Sequence, residues 1–354
     1  MQLDIGTRPT ALQALFGAEK AALALALLNG WQRDFPLCSR PFATIGWSLG
    51  LREAEVIDYF RALRAAGFIS RIGAVVQPNT VGASTLAALS APRARLEEVA
   101  EIISRQPAVT HNYEREHALN LWFVVAAPSR AAVAETLARI ERQTGLTVLN
   151  LPLVRAFHID LGFALPGAAQ AHAPHDAGNM AQATLAQADI TPLDRRLLAA
   201  IEDGLELIPT PFAAVGKVLG CSEAAVIQRL AALREAGIIR RFGVVVRHRR
   251  LGFRANGMVV WDIPDAQLAQ AGERLARAAG VTLCYARRRQ LPAWPYNLFC
   301  MIHGRARDAV RRRVRELAEM LRDVLGREVR HEVLFSRRCF KQRGARFSLP
   351  EERT

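Results

Sequence analysis

Apolar residues recur at helical and then at strand spacing, in the same order, in both halves of the chain. In the second half, a predicted helix from Thr191 precedes a short helix that ends at Gly220, and a third helix starts at Ser222. Residues 238–246 are then patterned as a β-strand. Because residues 23–76 repeat this order, each half is predicted to begin with a winged helix-turn-helix, which consists of three helices and a β-wing.

After each wing the pattern changes to strand, helix, strand, strand, helix and strand. The predicted strands lie near residues 86–90, 109–114, 119–126 and 147–157 in the first half, and near 257–262, 281–287, 296–303 and 329–336 in the second. This order is typical of a ferredoxin-like βαββαβ unit. The predicted fold is therefore α+β, a tandem repeat of a winged helix-turn-helix and a ferredoxin-like domain. Because each βαββαβ sheet has one face to bury, we expect the two units to pack as a pseudo-dimer, edge to edge or face to face.

A direct repeat in the sequence supports this division. Residues 41–82 align without a gap on residues 211–252, and 21 of the 42 pairs are identical. A match of this length at a fixed offset indicates two homologous halves. The expected domains cover residues 1–82, 83–164, 189–252 and 253–354, the last with a basic C-terminal tail. Residues 165–188 are rich in Ala, Gln, Gly, Pro and His and are expected to form a linker, in which His172 and His175 are solvated rather than metal ligands.

The balance of charge indicates an anionic partner. The chain has 47 basic and 33 acidic residues, a net charge of +14, and nearly all of the basic residues are arginine. The planar guanidinium group binds carboxylate or phosphate through two parallel hydrogen bonds. A polycarboxylate ligand and a nucleic acid are therefore both candidate partners.

The cysteines and the apolar segments indicate the cellular compartment. The five cysteines are scattered and form no Cys-x-x-Cys pair, which favours reduced thiols over a zinc site or a disulfide framework. The apolar run at residues 21–28 is too short to span a bilayer, and no signal-peptide cleavage pattern follows it. We expect a cytoplasmic protein without a membrane partner.

The third helix of each half is a poor candidate for reading DNA bases. These helices begin with Arg52-Glu53-Ala54-Glu55 and with Ser222-Glu223-Ala224-Ala225, whereas a recognition helix usually offers Arg, Lys, Asn, Gln or Ser in its first turns. Arginines along the second wing could still contact phosphate. We therefore expect no specific DNA partner.

The middle strands of the ferredoxin-like units carry the candidate chemistry. Residues two apart on a strand share a face, so His111, Tyr113, Arg115 and His117 are predicted to point the same way. The second half repeats part of this pattern with Tyr285, Arg287 and Asn297, the last of which corresponds to Asn120 after a five-residue insertion. The two histidines have no counterparts there. The repeat thus indicates shared anion binding and unshared proton chemistry.

Three longer strings carry a resemblance to known families. His111-Asn-Tyr-x-Arg-x-His117, the segment from Trp294 to Gly304 and the segment from His331 to Gln342 resemble siroheme decarboxylases, in the fused two-subunit form associated with heme d1 biosynthesis. The order of domains resembles the Lrp/AsnC family. The first resemblance implies a carboxy-lyase that removes the carboxyl groups of the C12 and C18 acetate side chains of siroheme, a polycarboxylate tetrapyrrole, to give didecarboxysiroheme. It also implies homologous decarboxylase subunits as partners, and no cofactor beyond the iron of siroheme.

The resemblance also assigns roles to residues. His111, His117 and Tyr113 are expected to supply protons to the macrocycle and the new methyl groups, and either histidine could instead be an axial ligand of the siroheme iron. No other metal ligand is expected from the protein. The expected substrate-binding residues are Arg115, Asn120, Tyr285, Arg287, Tyr296, Asn297, His303 and His331. Two alternatives stay open at this point: a transcriptional regulator of the Lrp/AsnC type, and a heme-responsive sensor or carrier.

Overall fold

A computed structural model of the protein describes residues 11–159 and 190–344, so the predicted linker and its histidines lie outside the described residues. The helices are α1 (Ala11–Gly30), α2 (Pro41–Leu49), α3 (Glu53–Ala65), α4 (Leu96–Arg105), α5 (Arg130–Thr144), α6 (Pro192–Ala200), α7 (Pro211–Leu219), α8 (Glu223–Glu235), α9 (Leu268–Ala276) and α10 (Arg307–Leu325). The strands are β1 (Ile69–Val76), β2 (Ala83–Leu89), β3 (Val109–Arg115), β4 (Leu121–Ala127), β5 (Leu149–Ile159), β6 (Ile239–Val246), β7 (Ala255–Trp261), β8 (Val281–Arg287), β9 (Leu298–Gly304) and β10 (His331–Gln342). The described chain divides into two compact units. Residues 11–77 and 190–252 form the first unit, and residues 78–159 and 253–344 form the second.

The first unit contains the helix-turn-helix motif of each repeat. Both short helices of the motif begin with proline and end at a left-handed glycine, Gly50 after α2 and Gly220 after α7. Within these helices, a Cβ atom at Gly46 would collide with the carbonyl oxygen of Leu51, and one at Gly216 would approach that of Cys221 to 2.6 Å. The close approach of helix and turn explains why both repeats hold glycine at this position.

In each repeat the predicted wing consists of one strand. β1 pairs antiparallel with β6, its counterpart in the other repeat, and Gly73 lies opposite Gly243. The prediction of a separate wing in each half was therefore wrong in this detail, because the second strand of the ladder comes from the other half of the chain. The pairing satisfies backbone groups that a lone strand would leave open.

One arginine of the supposed basic wing is structural. Arg241 is buried and its guanidinium donates to the carbonyl oxygens of Gln32 and, at 3.2 Å, Val244. Arg71 occupies the equivalent position on β1 and donates to Ala74 O at 3.2 Å, and burial lowers the pKa of Arg71. These side chains hold turns of the first unit and do not offer their charge to a phosphate.

Helix α1 is longer than the apolar run predicted near the start of the chain. By length and composition alone it could cross a membrane. Its backbone is interrupted at Gly17, however, and Ala24, Leu27 and Leu28 are completely buried within the protein. Packing in a protein core accounts for these three apolar residues of the helix.

The second unit is a closed barrel made by both ferredoxin-like repeats. Each repeat contributes four antiparallel strands, in the order β3-β4-β2-β5 and β8-β9-β7-β10. The edges join through the pairs β5–β8 and β10–β3, which close the ring. The expectation of a pseudo-dimer is confirmed, in its edge-to-edge form. Closure pairs both edges of each sheet, which would otherwise expose unpaired backbone groups.

Side chains alternate between the two faces of the barrel wall. Those facing outward form one apolar core with α4 and α5 and another with α9 and α10. Those facing inward form a cluster drawn from both repeats: Leu86, Ala88, Trp122, Leu151, Met258, Val260, Trp294, Tyr296, Phe299 and Leu334. The predicted fold class is confirmed, and the inner face of the barrel is where residues of the two repeats meet.

Candidate active site

Strand β3 turns its candidate residues toward the inside of the barrel. The intervening Asn112 faces outward, since its amide donates to Ala100 O and Ser104 Oγ of α4, both at 3.0 Å. On the inner face the ring centroids of His111 and Tyr113 lie 6.2 Å apart, and the Arg115 guanidinium lies 5.6 Å from the Tyr113 ring. The predicted alternation therefore brings these three residues onto one face, but it does not extend to His117, because β3 ends at Arg115.

His117 lies just beyond β3, in the loop of residues 116–120 that leads to β4. Its Nδ1 accepts a hydrogen bond from Leu119 N–H at 2.9 Å, and its Nε2 lies 3.3 Å from Glu332 Oε2 on β10. A neutral imidazole has one donor and one acceptor nitrogen, so this geometry is that of the Nε2–H tautomer. Both ring nitrogens are engaged within the protein, which leaves neither open to the siroheme iron in this arrangement.

Glu332 joins His117 to the second repeat. The hydroxyl of Tyr296 donates to the other carboxylate oxygen of Glu332. Burial, together with this contact, raises the pKa of Tyr296 to about 12. Arg330 is the nearby cation, with its guanidinium 5.5 Å from the Tyr296 ring. His117, Glu332 and Tyr296 thus form one group of contacting side chains, which we call the acid cluster.

The loop between β8 and β9 covers this cluster. It spans residues 288–297 and is five residues longer than its counterpart at 116–120, as the sequence comparison indicated. Trp294 of this loop lies inside the barrel, 5.6 Å from the His117 ring and 5.1 Å from the Trp122 ring. The Trp294 indole N–H is buried without a hydrogen-bond partner, which leaves a donor available to a bound ligand. The loop fixes one wall of the site with an aromatic surface.

The two repeated arginines occupy equivalent places at the seams of the barrel. Arg115 donates to Leu334 O at 2.9 Å, and Arg287 donates to Leu151 O at 2.7 Å. Arg287 also lies 5.5 Å from the ring of Tyr285, as Arg115 does with its own tyrosine. Burial lowers the pKa of Arg287 to about 10, and within the described chain it forms no ion pair with a carboxylate. Such a largely desolvated cation without a carboxylate partner favours an anionic ligand.

The repeated asparagines hold the framework. Asn120 exchanges two hydrogen bonds of 2.8 Å with the backbone of Ala91. Asn297 does the same with Ile263, at 3.0 Å and 2.8 Å. Their amides therefore tie the start of β4 and of β9 to the segment that follows β2 or β7, and the structure shows them engaged with the backbone rather than turned to a ligand.

The two candidate histidines of the second half lie in different places. His303 contacts Asn256 through Nδ1, 2.6 Å from Oδ1, on the inner side of β9. His331 lies on the outer side of β10, where its ring packs 4.7 Å from that of Trp261 and its Nδ1–H donates to Val329 O at 3.1 Å. The structure does not bring His331 to the acid cluster, although the adjacent Glu332 belongs to it.

The sequence did not lead us to predict Glu332 as a site residue. Trp294 was part of a recognised motif, but no role was predicted for it. A comparison of β10 with β5 could have signalled the carboxylate, because Glu332 pairs with Val260 where Leu149 pairs with the equivalent Ala88. An ionisable residue replaces an apolar one on the inner face of an otherwise repeated strand. The carboxylate partner of His117 lies more than two hundred residues away in the chain, so spacing alone does not reveal the pair.

The acid cluster has no counterpart at the pseudo-equivalent position of the barrel. Leu149 occupies the position equivalent to Glu332 in the other repeat. In the same way, Leu119 is equivalent to Tyr296, and Arg289 to His117. Arg289 does not face a ligand, since it forms ion pairs with Asp262 and Asp265. Within the described residues no group of three or more His, Cys, Asp or Glu could hold a metal ion. Among the described residues of the barrel, such a cluster therefore occurs in one of the two equivalent positions, whereas an arginine lies at each seam.

Comparison with known proteins agrees with this architecture. A family model described as an AsnC-like ligand binding domain matches residues 81–158 and 250–341, and one described as a siroheme decarboxylase NirDL-like HTH domain matches residues 25–69 and 194–240. A siroheme decarboxylase NirDL subunit of Paracoccus denitrificans is 51% identical over 327 residues, which cover 91% of this chain and 96% of the relative. Other relatives are named NirD, NirL and NirG subunits.

Solved structures give the same result. The crystal structure of a siroheme decarboxylase NirDL is 27% identical, with a TM-score of 0.65, and the match covers 92% of this chain and 94% of the other. A second structure, of NirDL in complex with an iron-uroporphyrin III analogue, is 28% identical, with a TM-score of 0.62 over 92% of this chain and 93% of the other. The chain thus belongs to the NirDL-type siroheme decarboxylase family.

Proposed function

We propose that this chain is a carboxy-lyase that converts siroheme to didecarboxysiroheme by removing the carboxyl groups of the C12 and C18 acetate side chains. The observation that carries the proposal is the acid cluster on the inner face of an arginine-bearing barrel, in a chain of this family. We place the reaction in the cytoplasm, and we expect homologous decarboxylase subunits, of the kind named among its relatives, as partners.

The chemistry requires proton delivery and no change of oxidation state. In each step the bond between the acetate methylene and its carboxylate breaks, CO₂ leaves, and the electron pair is delocalised into the macrocycle. One proton then forms the third C–H bond of the new methyl group. Two protons are consumed for each siroheme, and no cofactor is needed beyond the iron that the substrate carries. The protein must therefore position the tetrapyrrole and supply protons.

His117 is the proton-transferring group of this proposal. Its side chain is 20% exposed and that of its partner Glu332 is 38% exposed, so water can return a proton to the cluster after each step. His111 and Tyr113 lie on the same inner face and orient or protonate the macrocycle. Trp294 offers its unpartnered N–H and a flat aromatic wall to the ring.

Arg115 and Arg287 bind carboxylates that do not react. Arg287 has one guanidinium N–H on a seam carbonyl and a buried Nε without a hydrogen bond, so a donor remains for an anion. Arg115 makes the equivalent contact at the other seam. Charge-assisted hydrogen bonds of this kind are worth roughly twice a neutral one. The placement at both seams suits a substrate with carboxylates around its whole edge.

Anaerobic incubation of the purified chain with siroheme, followed by mass analysis, tests the proposal. The expected product has lost two molecules of CO₂ and retains its iron. Binding of siroheme with unchanged mass after many hours would instead favour the sensor or carrier alternative. A matched incubation with protein carrying His117→Ala separates enzymatic loss of CO₂ from spontaneous decay.

A further inference from the structure

The Glu332 carboxylate is contacted by a side chain from each repeat. His117 reaches it from the loop after β3, with Nε2 3.3 Å from Oε2, and Tyr296 reaches Oε1 from the loop before β9. Glu332 itself lies on the inner face of β10, paired with Val260 of β7. The carboxylate is thus mounted on a rigid strand, whereas both of its partners are in loops.

The other nitrogen of His117 is held by the backbone. Leu119 N–H donates to Nδ1 at 2.9 Å, and the Trp294 ring lies nearly perpendicular to the imidazole at 83°. A protonated Nδ1 cannot accept this hydrogen bond, because its lone pair is occupied. Proton uptake at Nδ1 therefore breaks the contact with Leu119 and leaves an N–H that needs a new acceptor, while Nε2 remains on Glu332.

We propose that Glu332 is the positioning residue of the reaction: it anchors His117 through Nε2 and so assigns proton transfer to Nδ1. The inference rests on the proposed function for the identity of the acceptor. In the transfer the Nδ1–H bond breaks and a C–H bond forms at the former acetate methylene. His117 then returns to its neutral form on Leu119 N–H, and water supplies the next proton. Enzymes often hold one nitrogen of an imidazole by a hydrogen bond while the other nitrogen transfers the proton.

The surroundings of Glu332 favour this role over a purely structural one. At the equivalent position of the first repeat the barrel holds Leu149, so packing does not require a carboxylate there. Glu116, the carboxylate next to His117 in sequence, is bound by Arg307 and Arg337 instead. Arg330 faces Tyr296 rather than the imidazole. Glu332 is the carboxylate that the described structure places against His117.

Kinetics of two substitutions test the inference, with a third as control. Glu332→Leu introduces the residue of the other repeat, and we expect kcat to fall about 100-fold, as misplacement of a transferring group by about 1 Å does. KM for siroheme should change little, because no substrate carboxylate is lost from its arginine. Glu332→Gln should retain more activity than Glu332→Leu, since an amide oxygen still accepts the Nε2–H. Glu116→Gln, which removes a neighbouring carboxylate without touching His117, should leave kcat near that of the unaltered chain.

A spectroscopic measurement separates this inference from the proposed function. Nitrogen-15 NMR of the histidine rings in the substrate-free protein should show His117 as the Nε2–H tautomer, identified by the signal missing in His117→Ala. Because Leu119 N–H still donates to Nδ1, the tautomer should persist in Glu332→Leu, but its Nε2 resonance should shift and its Nε2–H should exchange faster with solvent. An unchanged Nε2 resonance and exchange rate in Glu332→Leu, or an unchanged kcat, would overturn the inference. If the unaltered chain does not decarboxylate siroheme but the Nε2 signal still depends on Glu332, the proposed function fails and the anchoring stands.

Discussion

At the scale of single residues, the site combines groups whose ionisation is set by burial and by one partner. Tyr296 illustrates this. Its hydroxyl is buried and bonded to a carboxylate, and both effects favour the neutral phenol. The residue therefore remains a hydrogen-bond donor through the range in which the enzyme works, and it keeps Glu332 in place for His117.

Tyr296 should leave a signature in the pH dependence of stability. Its pKa is about 12 in the folded chain and near 10 when unfolded, so the folded state binds this proton more tightly. The resulting stabilisation is fully present below about pH 10 and is lost as the pH rises to about 12. We expect Tyr296→Phe to flatten the decline of the free energy of unfolding between these values, measured by denaturant titration. An identical alkaline decline in both proteins would contradict the assignment.

Arg287 is expected to contribute to siroheme affinity and not to the free energy of unfolding. It is a largely desolvated cation without an ion-pair partner in the described chain, and replacing such a group by an apolar side chain is often neutral or stabilising. We expect Arg287→Met to leave the free energy of unfolding unchanged or slightly higher. Affinity for siroheme should fall about 10- to 100-fold, the value of a hydrogen bond to a charged group. Unfolding titrations and spectroscopic binding measure the two effects, and a destabilised protein with full affinity would show that Arg287 serves the barrel seam alone.

At the scale of elements, equivalent positions of the repeat carry different packing. Gly73 and Gly243 face each other in the β1–β6 ladder. A Cβ at Gly243 would overlap the backbone of Trp31 and Gln32, whereas at Gly73 its nearest neighbour would be Gly204 at 3.4 Å. The same residue is thus required in one repeat for space, and tolerated in the other.

We expect Gly243→Ala to lower the free energy of unfolding of the first unit by about 1–3 kcal/mol through overpacking. Gly73→Ala is the matched control, and it should change stability by less than about 0.5 kcal/mol. Thermal or denaturant unfolding followed by circular dichroism gives both values. Equal effects of the two substitutions would mean that the loop after α1 yields to the added methyl group.

The helix-turn-helix elements are predicted to bind DNA weakly and without sequence preference. At the start of α3, Glu53 pairs with Arg40 and Glu55 with Arg52, so the arginines there are partly neutralised. Phosphate-only contact loses affinity steeply with salt. Fluorescence anisotropy with random and genomic duplexes at several salt concentrations checks this, and a nanomolar, sequence-specific site at physiological salt would revive the regulator alternative.

At the scale of the whole molecule, the barrel is symmetric in its strands and asymmetric in its chemistry. Both halves contribute a Tyr-x-Arg pair at a seam, but one acid cluster is formed. Under the proposed function we therefore expect the same histidine to serve both acetate groups, with the tetrapyrrole reoriented between the steps.

His117→Ala should accordingly slow both decarboxylations by a similar factor. A positioned general acid contributes about 10² to 10⁴ in rate, and folding and siroheme affinity should be largely kept. Mass analysis over time measures the singly and doubly decarboxylated products, and His158→Gln is a control on the outer side of β5. If His117→Ala stopped after rapid loss of one CO₂, each half of the barrel would have its own acid.

The amino-acid sequence by itself determined the repeated domains, because periodicity, turn residues and a 21-of-42 match act within short stretches of chain. It also placed His111, Tyr113 and Arg115 on one face, since alternation along a strand is local. Which strand an edge pairs with is not local. The joining of β1 to β6, the closure at β5–β8 and β10–β3, and the meeting of His117 with Glu332 were decided by tertiary structure. These pairings depend on the hydrogen bonds that unpaired strand edges require and on which side of the sheet becomes the inside of the barrel. The residue spacing within one segment determines neither.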